Sequence, residues 1–392
     1  MSLPALADLT ELDGARVLAR LDLNVPVSDG VVQDDTRIRA ALDTVRWITE
    51  RASVVACCSH LGKAKGQPDP RYSLRPVAEA LASALGRPVI FVDDCLSADP
   101  AAAARGSLLV LENLRFHPGE KANDQEFAAA LCAPFSHYVN DAFGTAHRAH
   151  ASVEAAPRRF ERRRRAAGFL MEREVASLRR LVDDPEPPYV AVVGGAKVST
   201  KTAPLEALLD RVQRLLIGGG MANTFFVAQG LEVGRSLVED EMVEVAREVL
   251  ARADERGIRL LLPSDVVVTD DLDNPMKVDV VGCDAVPPDM MIVDLGPQSR
   301  RTYAEALADA RTVFWNGPMG VFEVERFAEG TLTIARAMAD CPGFTVIGGG
   351  ESVMAVNRAG LEDRIDHVST GGGASLQFLT GEPLPAVVAL EA

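Results

Sequence analysis

Two sets of residues have the types and spacing to do chemistry. In the first half, polar groups follow directly on apolar runs. Asp22 and Asn24 follow 16–21, His60 and Lys63 follow 53–58, Arg115 follows 108–111, and Arg148 follows 137–139. Arg37 sits nearby in Asp34-Asp35-Thr36-Arg37-Ile38. Guanidinium forks bind phosphate and carboxylate bidentately, so arginines at successive strand ends point to a small anionic ligand. In the second half, Gly194-Gly195-Ala196-Lys197 is followed four residues later by Lys201. Glycine triplets stand at 218–220, 348–350 and 371–373, the second running into Glu351 and Ser352. One such loop is as much a tight turn as a ligand site, but three with a lysine pair suit nucleotide phosphates at helix N-termini.

Several familiar chemistries are missing from the pattern. There is no GxxxxGK[ST] loop, no GxGxxG with an acidic residue about twenty positions on, no GxSxG elbow, no CxxC and no HExxH. A nicotinamide dehydrogenase is thereby disfavoured. The six cysteines are scattered, so neither a disulfide framework nor a structural zinc is expected.

The elements that must hold these residues repeat one unit: a short apolar run, an abrupt polar or glycine turn, then a helical stretch. Second-half runs fall at 189–193, 214–217, 259–262, 311–315, 344–347 and 367–369. Strands buried on both faces and alternating with helices predict parallel sheets. A chain of 392 residues is long for one core. The fold class expected is therefore α/β: two doubly wound parallel-sheet (Rossmann-like) domains joined by a hinge helix. Ligands in such sheets bind beyond the carboxyl ends of the strands, where the polar residues fall. The expected divisions are 1–167, an interdomain helix and linker at 168–184, a second domain at 185–365, and a returning segment at 366–392. Within 158–165 the six arginines read as a solvated helical face, with an anion-attracting rim as the sharper alternative.

Read together, the motifs resemble the phosphoglycerate kinase family. The resemblance runs from Arg16 to the end of the chain. It is carried by RLDLNVP at 20–26, DTRI at 35–38, SHLG at 59–62, ENLRF at 112–116, YVNDAFG at 138–144 and AHRAHAS at 146–152. GGAK at 194–197, FWNGPMGVFE at 314–323 and STGGGA at 369–374 complete the series. It implies a reversible glycolytic phosphoryl transfer from 1,3-bisphosphoglycerate to ADP, giving 3-phosphoglycerate and ATP, by direct in-line transfer in a closed interdomain cleft. The N-terminal domain would hold the acid substrate through Asp22, Asn24, Arg37, His60, Lys63, Arg115 and Arg148. The C-terminal domain would hold the nucleotide with Mg²⁺ as cofactor. Lys201, Gly218, Gly219, Asn316, Glu323, Gly348, Gly349, Gly350, Glu351 and Ser352 would contact the nucleotide, and Glu351 the metal, directly or through water. Arg37 and Lys197, with backbone at Gly349 and Gly372, would serve the transferring group. The C-terminal segment would pack back on the N-terminal domain.

Four features depart from the family pattern: Lys63 stands for the usual arginine, Thr200 for aspartate, Glu351 for aspartate, and the arginine run at 162–165 replaces the usual segment. Thr200 and Glu351 motivate one alternative, a noncatalytic nucleotide- or metabolite-binding protein of the same fold. For a kinase, the carboxylate nucleophile is already ionised near neutral pH, so no general base is needed. Positioning and charge neutralisation then carry the rate. A net charge of −15 argues against nonspecific nucleic-acid or membrane binding. The opening MSLPALADLT has no signal-peptide pattern and no apolar run is of membrane-spanning length, so a cytoplasmic protein is expected, and few aromatics with no conspicuous apolar patch make a monomer the expectation.

Overall fold

The computed structural model describes residues 3–392; Met1 and Ser2, which begin the expected N-terminal domain, lie outside the described residues. The chain forms two compact units. One comprises the described residues up to Ala176 together with Pro383–Ala392, and the other is Ser177–Glu382. The helix Phe169–Val182, expected from its apolar stripe, runs through this division.

The first unit contains β1 (Arg16–Leu21), β2 (Val27–Ser28), β3 (Val31–Val32), β4 (Val54–Cys58), β5 (Ile90–Val92), β6 (Ser107–Leu111), β7 (His137–Asp141) and β8 (Arg165–Ala167). Six of these make one sheet in the order β5-β6-β4-β1-β7-β8, parallel throughout; β2 and β3 form a small hairpin. The central strands are buried on both faces, which is why they read as unbroken apolar runs. Ile38, Ala41, Leu42, Val45 and Ile48 place the apolar stripe of the helix Thr36–Thr49 in the core of this sheet.

The second unit contains β9 (Tyr189–Val193), β10 (Arg214–Ile217), β11 (Arg259–Leu261), β12 (Asp265–Thr269), β13 (Val278–Gly282), β14 (Met291–Leu295), β15 (Thr312–Asn316), β16 (Phe344–Gly348) and β17 (His367–Val368). Its six-stranded sheet runs β11-β10-β9-β15-β16-β17, again parallel. Ranked along the chain, that order is 3-2-1-4-5-6, the arrangement of dinucleotide-binding folds. The first unit's order is 3-4-2-1-5-6, so its sheet is not the same doubly wound sheet repeated. Both reverse direction beside their first strand: between β1 and β7, and between β9 and β15. Ligand crevices form at such switch points.

A three-stranded antiparallel sheet, β13-β12-β14, was not expected from the sequence. It breaks the strand–turn–helix rhythm, and β13 is largely exposed, so its apolar signal is weak. The short strands β5 and β8 were missed as well. β8 begins inside the arginine run, which does not form one solvated helical face. Arg163 and Arg164 pair with Glu11, and Arg163 also with Glu161. Arg165 is buried, and its guanidinium donates to the carbonyls of Pro157, Phe160 and Leu390.

Among the described residues no helix is long and apolar enough to cross a membrane.

Candidate functional site

In the first unit the strand-end residues converge. Asp22, just past β1, is almost wholly buried and takes a 3.0 Å ion pair from Arg37 Nη1. Asn24 Oδ1 accepts the Gly62 amide at 2.8 Å, tying the turn after β1 to the loop after β4. Gly62 O in turn accepts Arg115 Nη1 at 2.8 Å. Arg115 is 5 % exposed, yet its Nε and Nη2 have no protein partner. Burial first, then the guanidinium groups of Arg148 and Arg20, pull its pKa down to about 10. A buried cation with two idle donors among other cations is a site built for an anion. Arg148 is exposed, its Nε donating to His147 Nε2 at 3.1 Å. His60 is buried among Arg20, Arg115, Arg148 and His150; burial first, then the neighbouring arginines, hold its pKa well below the ordinary imidazole value. Lys63 is exposed.

The sequence reading passed over Arg20, Glu120, His150 and Ser152, all part of this cluster. A signal for Arg20 was available: an arginine inside the otherwise apolar Val17-Leu18-Ala19-Arg20-Leu21 must find partners when the strand is buried.

In the second unit the glycine loops pack backbone against backbone. The Gly195 amide donates to Pro318 O, and the Gly219 amide to Met319 O. Gly219 has φ +68°, and a Cβ there would come within 2.7 Å of both Gly195 O and Pro318 O. Gly349, at φ +93°, lies against Asn316, and a Cβ on Gly372 would sit 3.0 Å from Gly349 Cα. Gly349 and Gly372 are thus brought together. Gly348 ends β16, and Gly350 opens the helix Gly350–Ala359. Ser352 is buried, and its Oγ accepts the Gly317 amide at 2.7 Å, tying this helix to the turn after β15. Lys201 Nζ donates to Asn316 Oδ1, while Asn316 Nδ2 is buried without a partner. Burial lowers the Lys201 pKa to about 8, against the opposing pull of Glu351. Lys197 is exposed, and Thr200 Oγ1 donates to its carbonyl at 3.0 Å.

Beside these loops lies a pocket of about 270 Å³. Gly195, Gly219, Glu323 and Glu351 border it, and Phe226, Leu237, Val266, Ile292, Val293 and Val321 make much of its wall. Two of its walls come from β12 and β14, which is why sequence reasoning missed the apolar half. An apolar slot edged by glycine backbone and the carboxyl groups of Asp294, Glu323 and Glu351 suits a planar base with a ribose at its rim.

Elsewhere in the first unit, ligand-type atoms of Asp94, Cys95 and His117 lie within 4.8 Å of one another. There His117 Nε2 is 2.9 Å from Asp94 Oδ1.

One parallel sheet thus gathers cations at its switch point, and the other borders a partly apolar pocket at its own. A family model described as phosphoglycerate kinase matches residues 6–382. The phosphoglycerate kinases of Thermomicrobium roseum and Moorella thermoacetica are 51 % and 50 % identical to this chain, each over 97 % of both chains. The solved phosphoglycerate kinase of Coxiella burnetii superposes with a TM-score of 0.91 at 40 % identity, covering 100 % of this chain and 99 % of that one. The chain belongs to the phosphoglycerate kinase family.

Proposed function

We propose that the protein transfers a phosphoryl group reversibly between 1,3-bisphosphoglycerate and ADP, giving 3-phosphoglycerate and ATP. The observation that carries the acid-substrate half is Arg115, a buried guanidinium with two unpartnered donors at a strand-end switch point. Asp22, Asn24, Arg37, His60, Lys63 and Arg148 surround the same ligand in this reading. The nucleotide occupies the second unit's pocket. Glu323 sits at the ribose, the 218–220 loop and Asn316 flank the nucleoside, and Lys201 with residues 348–352 serves the phosphates.

In the ATP-forming direction, the bond between phosphorus and the substrate's carboxyl oxygen breaks as a bond to the β-phosphate oxygen of ADP forms. The leaving group is a carboxylate, so no proton has to move. The three equatorial oxygens of the phosphoryl group keep their charge in flight. Arg37 and Lys197 neutralise them, with backbone at Gly349 and Gly372. Because the two half-sites belong to different units, the reaction needs the units to bring their ligands together, which also excludes water from the acyl phosphate.

The donor set at the nucleotide pocket fits Mg²⁺. Glu351 is an exposed carboxylate beside Lys201, and Mg²⁺ commonly takes one or two carboxylates and fills its shell with water and phosphate oxygens. When bound, the metal supplies charge neutralisation at the phosphates. Glu351 would hold the metal directly or through a water. We read the protein as a cytoplasmic monomer without nucleic-acid or membrane partners. The net charge of −15 and a site that needs no second copy support this.

Steady-state turnover of 3-phosphoglycerate with Mg-ATP tests the proposal alongside Lys197→Ala. Robust turnover reduced at least a hundredfold by the substitution is expected. A folded wild-type protein that binds nucleotide without turnover would instead favour the noncatalytic binder.

A further inference from the structure

Beneath the cationic face of the first unit runs a buried chain of hydrogen bonds that the phosphoryl chemistry does not itself use. It begins at Glu120, a carboxylate with no exposed surface. Its Oε2 accepts the Ser152 amide at 2.9 Å, and its Oε1 accepts the Ser152 hydroxyl at 2.6 Å. With its proton committed to Glu120, Ser152 Oγ is left as an acceptor, and Arg20 Nε donates to it at 2.8 Å. Arg20 is 1 % exposed and is fixed at a second point, Nη1 donating to Leu21 O. Its remaining arm, Nη2, lies 3.2 Å from His60 Nδ1. Tyr138 holds the far side of Ser152, its hydroxyl donating to Ser152 O at 2.6 Å.

The direction of the last link follows from chemistry. A guanidinium has donors only, so Nδ1 of His60 must accept. An imidazole that accepts at Nδ1 carries its one proton on Nε2 and is neutral. The groups facing His60 agree: Arg20, Arg115, Arg148 and His150 surround it, and all but His150 are cationic. Burial and the neighbouring arginines bring the His150 pKa down to about 4, so it too is neutral near pH 7. Glu120 is the buried carboxylate under this group, with His150 Nδ1 4.0 Å from its Oε1.

We propose that Glu120, acting through Ser152 and Arg20, is a positioning residue that holds His60 as the neutral Nε2–H tautomer. The acid-substrate site would then offer its anion a fixed imidazole donor whose strength does not change across the neutral pH range. The assignment of that donor to 3-phosphoglycerate rests on the function proposed above; the tautomer does not.

Nitrogen-15 correlation spectra of histidine-labelled protein without substrate read the tautomer directly. In the wild type, His60 is expected to show a protonated Nε2 and a bare Nδ1 between pH 6 and pH 8. A protonated Nδ1, or an imidazolium in that range, overturns the proposal whatever the enzyme acts on. Ser152→Ala cuts the relay with the smallest change in volume and is the primary variant; Glu120→Gln, which removes a fully buried charge, is the second. Ser152→Ala is expected to mix the two His60 tautomers and raise KM for 3-phosphoglycerate five- to tenfold, with KM for Mg-ATP within twofold. An unchanged His60 spectrum in folded Ser152→Ala sinks the relay. A changed tautomer with unchanged KM for 3-phosphoglycerate sinks its role in binding the acid substrate.

Discussion

The first unit's sheet ends in buried charge, and the second unit's sheet ends in glycine backbone and apolar side chains. Arg20, Asp22, His60, Arg115 and Glu120 are each at least nine-tenths buried around the first switch point. Around the second, Gly195, Gly219, Val293 and Val321 define the space, and the cation beside it is one half-buried lysine, Lys201. Both units use the same device, a parallel sheet whose strand ends carry the working residues. They differ because their proposed ligands differ. A small polyanion has almost no apolar surface, so its site must be preorganised from charges that support one another through buried hydrogen bonds. A nucleoside offers a flat, weakly polar ring, so shape and backbone approach do most of the recognition.

Breaking the charged side should have the largest effect. Arg115→Ala removes an interaction of about 3 kcal/mol, on the scale of buried charge-assisted hydrogen bonds. KM for 3-phosphoglycerate should rise at least a hundredfold, with ADP affinity by calorimetry unchanged; an equal loss on the nucleotide side would erase the contrast. The backbone side should fail through shape. Gly219→Ala forces a Cβ against two carbonyl oxygens at a positive φ, and we expect about 2 kcal/mol lower stability. ADP affinity should fall tenfold or more while isolated 3-phosphoglycerate binding survives.

A smaller effect concerns Lys201. Its pKa of about 8 in the free protein must rise when phosphates bind beside it, so binding takes up a proton above that pH. ADP affinity should be level below pH 7 and fall severalfold between pH 8 and pH 9.5, and Lys201→Ala should flatten the profile. Smallest of all, raising ionic strength from 0.05 to 0.5 M should weaken 3-phosphoglycerate binding severalfold yet leave adenosine binding nearly constant, since adenosine carries no charge to screen.

How much of this was legible beforehand follows from what a one-dimensional pattern encodes. Strands such as Val54–Cys58 and Tyr189–Val193 announce themselves because burial on both faces demands an unbroken apolar run. The residues after them were legible because parallel sheets put ligands there. The antiparallel sheet β12–β14 was not, since its middle-numbered strand is half in water and its turns carry no phosphate-type glycine loop. Glu120 was invisible for another reason: nothing local distinguishes a buried carboxylate in a short helix from a solvated one. Its partner Ser152 is 32 residues away, so the pairing exists only once β7 has placed the two loops together. Strand order was equally hidden, and the first unit's 3-4-2-1-5-6 arrangement had no sequence signal.

The last ten residues carry a consequence for how the molecule is made. The helix Pro385–Glu391 buries Ala386, Val387, Ala389 and Leu390 in the first unit, against the segments Ala151–Ala155 and Pro157–Arg159. Every residue of Ser177–Glu382 is synthesised between the bulk of that unit and its closing helix. At usual elongation rates this is a delay of roughly 10–40 s. All of the second unit's residues are therefore made before the first unit receives the last piece of its core. The segment Ala151–Ala155, which carries Ser152 of the cation cluster, gains this packing partner only after the whole second unit has been made.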